Sequence, residues 1–287
     1  MKYPNLSICI TLFVLSLAPH LTVQATQLSY IPFEATKDKY PFELVQFLLS
    51  KIEHDYSFQP IAATSMVGSR QVSEVQRGNL SFAALSTSND IEAKLRPIRI
   101  PIYKGLLGHR IFLIRSGEQS RFENITQLAE LKRFTAGQGR FWGSTPVFKN
   151  AGMPTITPTK YKSLFYMLDG ERFDYFPRGI LEIYSELAQY ADLNLAIEPN
   201  LMLVYPTAMY LFTSKENEAF AADLESAFNL AISDGSFDQW FYNHPMIKEA
   251  LSKVNIASRK ILHIDNPLLP SATPLERNAL WFNSQSH

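Results

Sequence analysis

Short apolar runs alternate with amphipathic stretches along the first third of the chain. Residues 27–31 and 58–63 have the pattern of short strands, and residues 80–85 form a nearly continuous apolar run, typical of a strand buried on both faces. Between them, residues 42–52 carry apolar side chains at helical spacing, and a second helical pattern ends at Gly78. Because strands and helices alternate, we predict parallel strands joined by crossover helices, which is an α/β lobe.

The alternation returns after a polar stretch. Residues 109–115 are predicted to be extended, and the polar residues 116–121 are predicted to cross between two lobes. Further helical and strand-like stretches follow, among them an aromatic strand at residues 173–176 and an amphipathic helix at residues 216–232. The pattern therefore predicts a second α/β lobe.

The first 25 residues differ from the rest of the chain. Lys2 gives a basic start, residues 8–18 are mostly apolar, and residues 23–25 have small or short side chains where a signal peptidase cleaves. We predict a secretory signal that is cleaved near Ala25, with an uncleaved anchor as the alternative. The one cysteine, Cys9, lies in this segment, so the mature chain would contain no thiol, which favours a periplasmic location.

Composition and charge exclude several classes of function. The chain has 287 residues, and its 46% hydrophobic content is sufficient for a sizeable core. Lys and Arg balance Asp and Glu at 27 each, so no net field attracts nucleic acid. The sequence contains no catalytic or phosphate-binding motif and no histidine pair at helical spacing. We therefore predict no enzyme activity, no metal and no cofactor.

The order and spacing of five segments resemble family 3 extracellular solute-binding proteins. These segments are residues 80–87, 98–103, 111–115, 125–137 and 225–237. The resemblance implies the type II periplasmic-binding-protein fold, in which two α/β lobes are joined by two crossing strands and the ligand binds in the cleft between them.

This resemblance sets the expected division of the chain. Lobe 1 is predicted to comprise residues 26–114 and 206–264, and lobe 2 residues 115–205. Residues 265–287 are rich in Pro, Ser and Asn, and we expect them to form a loosely attached tail.

Two departures from the family pattern bear on the ligand. Where the resemblance implies an Arg that binds the carboxylate of an amino acid, Glu92 stands here. Where it implies an Asp after strand 173–176, Arg178 stands instead. A guanidinium favours a carboxylate, phosphate or sulfate-like group, so we predict an anionic ligand. The alternative is that Arg178 forms a structural ion pair with Glu182 or Glu171.

Further candidate ligand-binding residues follow predicted strands or begin predicted helices. Trp142 could stack on a flat ligand, while Ser144 and Thr145 begin a helix whose free N–H groups suit an anion. Each also has a structural alternative, as a core aromatic side chain or a helix cap. The remaining candidates are Ser86, Thr87, Arg70, Arg110, Tyr30 and Phe33.

We therefore predict a monomeric periplasmic solute-binding protein that closes on a small ligand and delivers it to a membrane transporter or sensor. One alternative is a dehydratase-like enzyme on the same fold, which would need Glu92, Glu171 or Asp174 in the cleft. Another is a signalling module that binds a protein partner.

Overall fold

The computed structural model describes residues 25–33, 36–62 and 66–283. The predicted signal lies outside the described residues, apart from Ala25. Within the described ranges, no helix is both long enough and apolar enough to cross a membrane.

Strands and helices alternate along the described chain, as predicted. The strands are β1 (Thr26–Tyr30), β2 (Tyr56–Pro60), β3 (Ala83–Ser86), β4 (Arg96–Ile98), β5 (His109–Arg115), β6 (Ala136–Gly137), β7 (Thr155–Ile156), β8 (Phe176–Gly179), β9 (Leu195–Ile197), β10 (Leu201–Val204), β11 (Met209–Thr213) and β12 (Lys260–His263). The helices are α1 (Thr36–Leu49), α2 (Gly68–Gln76), α3 (Asn89–Lys94), α4 (Leu128–Leu131), α5 (Ser144–Asn150), α6 (Tyr161–Asp169), α7 (Ile183–Gln189), α8 (Glu218–Ser233), α9 (Ser236–Asn243) and α10 (Pro245–Val254).

The strands of the first lobe come from both parts of the chain. β1 pairs in parallel with β2, and the Ser81 N–H donates to the Ser29 carbonyl, which connects β1 to the start of β3. β11 lies between β3 and β4 and is antiparallel to both. The late strand β11 therefore completes a sheet that the early strands begin.

The second lobe is built on a sheet with the order β12-β10-β5-β8, and β9 pairs with the far end of β5. β6 and β7 pair in parallel, and an isolated bridge from Ala136 to Tyr175 connects them to the segment before β8. The chain passes from the first lobe to the second after β4 and returns after β10. The α/β class is thereby confirmed, and β12, which pairs with β10, adds a third passage between the sheets to these two crossings.

Local sequence explains where several elements begin and end. The Ser88 hydroxyl accepts a hydrogen bond from the Ile91 N–H and so caps α3. Helix α8 buries Phe220, Leu224 and Phe228, which are four residues apart and therefore lie on one face. It ends at Ser233 with Asp234 as its C-cap, and Gly235 follows with a φ of +75°, a conformation that favours glycine.

Strand pairing differs from the predicted division of the chain at two strands. β5 was assigned to lobe 1, but it pairs with β8, β9 and β10 of the second sheet. β12 was also assigned to lobe 1, but it pairs in parallel with β10. Residues 116–121 follow β5 and do not cross between the sheets; the first crossing lies between β4 and β5. An apolar strand fits either sheet, so hydrophobic pattern alone does not locate this boundary.

The segment after β12 is docked, in contrast to the loosely attached tail that its composition suggested. The Lys104 ammonium is buried and donates to Asp238 and to the Ala279 carbonyl, at 2.7 Å each. The Phe282 N–H donates to the Lys104 carbonyl at 2.7 Å. Trp281 packs on Gly105, where a Cβ would come within 2.8 Å of the indole ring. The described part of this segment therefore lies against the first crossing.

We expect Trp281→Ala to lower the free energy of unfolding by about 2 kcal/mol, because it removes a partly buried aromatic side chain that also donates to the Pro274 carbonyl. Phe141→Ala is the control, since Phe141 is 82% exposed and should change stability by less than about 0.5 kcal/mol. Urea unfolding measures both. Equal stability of the two variants would support a loose tail instead.

His109, at the start of β5, should make stability depend on pH. Burial lowers its pKa to about 4, whereas an unfolded histidine has a pKa of about 6.5. Between these values the unfolded chain binds a proton that the folded chain excludes, so stability decreases as pH falls from about 6.5 to 4. His109→Gln should flatten this part of the pH profile in urea unfolding. Parallel profiles for the two proteins would contradict this assignment.

Candidate functional site

A cavity of about 440 Å³, here called the central cavity, lies between the two lobes beside the first crossing. Its walls come from the end of β1, the first turns of α1, β3, the first crossing, the turn after β8 and the start of α10. Ligand sites of two-lobed α/β proteins are expected at such a junction.

An aromatic wall forms one side of the central cavity. Tyr30 ends β1, and its ring centroid lies 4.3 Å from that of Phe42 and 5.7 Å from that of Phe33. The Phe33 and Phe42 centroids are 5.1 Å apart. All three rings line the cavity. They offer apolar area to a ligand, and an aromatic ring whose face meets the cavity would attract a cation.

Two carboxylates from opposite lobes also line the central cavity. Asp38 lies in the first turn of α1, and Glu182 lies in the turn between β8 and α7. In the described part of the chain, no other charged residue lines it. Tyr103 lines the cavity as well. Burial raises the pKa of Tyr103, and the negative charges of Glu182 and Asp38 raise it further. The charged lining of the cavity is therefore acidic.

Arg178, which was predicted to bind the ligand, lies inside β8 and is buried. Its side chain donates from Nε and Nη2 to the two oxygens of Glu186, at 2.6 Å each. Nη2 also lies 2.9 Å from the Glu182 carboxylate. The Tyr161 hydroxyl donates to Glu186 at 2.6 Å. Burial alone would lower the pKa of Arg178, but the two carboxylates outweigh burial and raise it, so the guanidinium remains charged.

This placement differs from the predicted role of Arg178 as a positive charge overlooking the cleft. The residue is only 5% exposed, and its guanidinium lies 4.8 Å from the Trp142 ring centroid. The strand begins at Phe176, three residues later than predicted, so Arg178 pairs with Ile111 inside the sheet. The ion pair with Glu182, which was the alternative hypothesis, is present. Glu186, which the sequence analysis did not consider, is the bidentate partner.

Glu182 connects this buried network to the cavity. The Arg110 Nη1 lies 3.8 Å from its carboxylate, and the Arg110 Nε donates to the Tyr205 hydroxyl at 3.2 Å. A Cβ at Gly179 would lie 3.2 Å from the Glu182 carboxylate and 3.5 Å from Arg110, so glycine keeps this corner open. Arg178 and Arg110 therefore both lie near the carboxylate of Glu182, which lines the cavity.

The side chains of Trp142, Ser144 and Thr145, which were predicted to bind the ligand, contact other residues of the second lobe. Trp142 stacks on Phe176 with an interplanar angle of 15°. The Ser144 hydroxyl donates to the Gln138 side chain at 2.8 Å, and the Thr145 hydroxyl donates to the Gly139 carbonyl at 2.6 Å. None of these predicted residues lines the central cavity. Their structural alternatives, core packing and local capping, describe the contacts observed.

Of the first-lobe candidates, the structure brings Tyr30 and Phe33 to the cavity and leaves three residues outside it. Ser86 ends β3 opposite Met209, and the Thr87 hydroxyl donates to Glu92 at 2.6 Å. Arg70 is exposed on α2.

Asp38 and Phe42 line the cavity although neither was predicted to, and Glu182 was predicted only as a partner of Arg178. Asp38 lies in the first turn of the helix after β1. This position was the available signal, because the helices that follow parallel strands begin at the same edge of the sheet. The carboxylates required by the enzyme alternative lie elsewhere. Asp174 accepts from Arg121 and from the Thr135 N–H at 2.7 Å each, and Glu92 pairs with Arg99. Among the described residues, no cluster of His, Cys, Asp and Glu could hold a metal ion.

Removing one partner of the buried Arg178–Glu186 ion pair should lower the free energy of unfolding more than replacing both partners by apolar side chains. We expect Glu186→Leu to lower the free energy of unfolding by about 3 kcal/mol, because it leaves the buried Arg178 short of a carboxylate. Adding Arg178→Met to that variant should recover much of the loss, since two apolar side chains can occupy the site. Chemical denaturation of the wild type, both single variants and the double variant measures this coupling. Strictly additive losses would show that the pair does not act as a unit.

Of the comparisons with known proteins, the one with solved structures bears on the architecture. No protein-family model matches the sequence, and a search of curated proteins finds no match. Solved structures do match. The probable amino-acid ABC transporter extracellular-binding protein of Bacillus subtilis is 14% identical, with a TM-score of 0.57 over 78% of this chain and 100% of that chain.

Two further solved structures are similar. A binding component of an ABC transporter from Wolinella succinogenes, complexed with lysine, is 10% identical, with a TM-score of 0.53 over 76% of this chain and 94% of that one. An ancestral arginine-binding protein bound to arginine is 15% identical, with a TM-score of 0.51 over 76% of this chain and 96% of that one. At these identities the likeness establishes the fold. The chain therefore has the two-lobed type II periplasmic-binding-protein fold.

Proposed function

We propose that this chain is an exported solute-binding protein whose two lobes close on a small ligand that carries an ammonium group. The observation that carries the proposal is the acidic, aromatic lining of the central cavity. Tyr30, Phe33 and Phe42 supply π-faces, and Asp38 and Glu182 supply negative charge from opposite sides. Cations bind aromatic faces and carboxylates, and both attractions strengthen where water is excluded.

The sequence suggested an anionic ligand, whereas we propose a cationic ligand. The positive charge of the buried Arg178 is matched by both oxygens of Glu186, and Arg178 does not line the central cavity, so it is not available to attract an anion. An anion in the central cavity would instead face Asp38 and Glu182, and like charges at close range are unfavourable.

The ligands of similar structures favour an amino acid or a related amine. Solved proteins with this fold bind lysine and arginine. A cavity of about 440 Å³ is sufficient for ligands of this size. Because the family's carboxylate-binding Arg is replaced by Glu92, which lies outside the cavity, the ammonium end of the ligand should dominate recognition.

The proposed mechanism is closure without chemistry. Asp38 belongs to the first lobe and Glu182 to the second, so an ammonium group that contacts both stabilises the closed arrangement. The two crossings would act as the hinge. We propose that the monomeric closed form is presented in the periplasm to a membrane transporter or sensor.

Asp38→Asn tests the proposal. We expect calorimetric titration to show lysine or arginine binding to the wild type and about tenfold weaker binding to the variant, because one charge-assisted contact is lost. Asp265→Asn is the matched control, since Asp265 is exposed and outside the cavity, and it should leave affinity unchanged.

A thermal-shift screen of candidate ligands can give results that contradict the proposed function. Stabilisation by dicarboxylates or sugar phosphates, with none by amines, would overturn the cationic ligand. Consumption of a stabilising ligand during incubation would support an enzyme.

A further inference from the structure

A second cavity of about 590 Å³, here called the outer cavity, adjoins the central cavity. Leu181 and Met246 line both, so only these side chains and their neighbours separate the two spaces. The outer cavity lies between α1, α7, α9 and α10 and contains the apolar side chains of Ile180 and Trp240. A ligand that passes Leu181 and Met246 would enter it.

The first turn of α1 presents opposite charges to the two cavities. Asp38 lines the central cavity, and the next residue, Lys39, lines the outer one. Consecutive helical residues project about 100° apart, which explains how neighbours reach different spaces. Helix α1 therefore supplies the Asp38 carboxylate to the central cavity and the Lys39 ammonium to the outer cavity.

Lys39 is a cation that lines the outer cavity. Glu249 lies 2.6 Å from the Lys253 ammonium, and Glu43 lies 3.0 Å from the His244 Nε2, which matches the charge of Glu43 only when His244 is protonated. Within the ranges that the structure describes, no hydrogen bond or ion pair to the Lys39 side chain occurs. The carboxylate of a ligand could therefore contact the Lys39 ammonium without breaking an existing ion pair.

We propose that the outer cavity binds the terminal carboxylate of a short peptide, whose amino terminus occupies the central cavity. This inference rests on the proposed function and extends it from amines to peptides of two or three residues. The ammonium of such a peptide contacts Asp38 and the aromatic wall, and its carboxylate contacts Lys39.

Length favours a peptide over a free amino acid. An extended chain advances about 3.3–3.6 Å per residue, so three residues span about 10 Å. In a free amino acid, a single Cα separates the α-ammonium from the carboxylate, so these two groups cannot occupy separate cavities. A peptide can pass between Leu181 and Met246 and place one terminus in each space.

Calorimetric titration of the full mature chain with trialanine, trialanine amide and lysine tests the inference. We expect trialanine to bind the wild type about three- to fivefold more tightly than its amide, because the amide lacks the charge that Lys39 attracts. Lys39→Gln should remove this preference. Lys248→Gln is the matched control, because Lys248 is exposed on α10 and lines neither cavity, and it should retain the preference.

A second variant tests the passage between the cavities. Met246→Trp should narrow it, weaken trialanine binding by at least fivefold and leave lysine affinity within twofold, with thermal unfolding used to confirm that the variant folds. Equal affinity of the wild type for trialanine and its amide would overturn the inference, as would lysine binding without trialanine binding. In the latter case the proposed function stands. Binding of neither lysine nor trialanine would contradict both.

Discussion

The turn that follows β8 depends on one constraint, which is that a buried guanidinium must be matched by carboxylates. Arg178 is held by both oxygens of Glu186 and by Glu182. An unmatched charge at this depth would cost several kcal/mol, so the network fixes where α7 begins relative to the sheet. Leu181 lies within the same turn and is delivered with Glu182 to the wall of the central cavity.

This constraint also determines the electrostatics of the site. Arg178 and Arg110 both lie near the Glu182 carboxylate, and of these three residues only Glu182 lines the cavity. A ligand in the cavity therefore meets the acidic member of this network. The same residues that suggested an anion site in the sequence thus contribute to a cavity suited to cations.

The sequence was sufficient to predict elements with strong local signals. The apolar run before Ser86, the helical spacing that leads to Gly78 and the amphipathic pattern of α8 correspond to β3, α2 and α8, with boundaries within a few residues. Tyr30 and Phe33 line the central cavity because they end or follow β1, a strand predicted within one residue at each end, and their role in ligand binding stays a prediction.

The remaining features depend on contacts between distant parts of the chain. The aromatic residues before β8 have a strand-like pattern, but pairing with β5 begins only at Phe176, which moves Arg178 into the sheet. The polar, proline-rich composition after β12 suggests a loose tail, yet the buried Lys104 ammonium requires the Ala279 carbonyl. Local sequence predicts neither the pairing of β8 with β5 nor the contact of Lys104 with Ala279, because in each case the two partners are far apart along the chain.

A crystal structure of the protein grown with lysine would test the central claim most directly. We predict that the lysine occupies the central cavity, with one of its ammonium groups within about 3 Å of the Asp38 or Glu182 carboxylate. Lysine bound instead at the loop of Trp142, Ser144 and Thr145, with the central cavity occupied by solvent alone, would contradict the account.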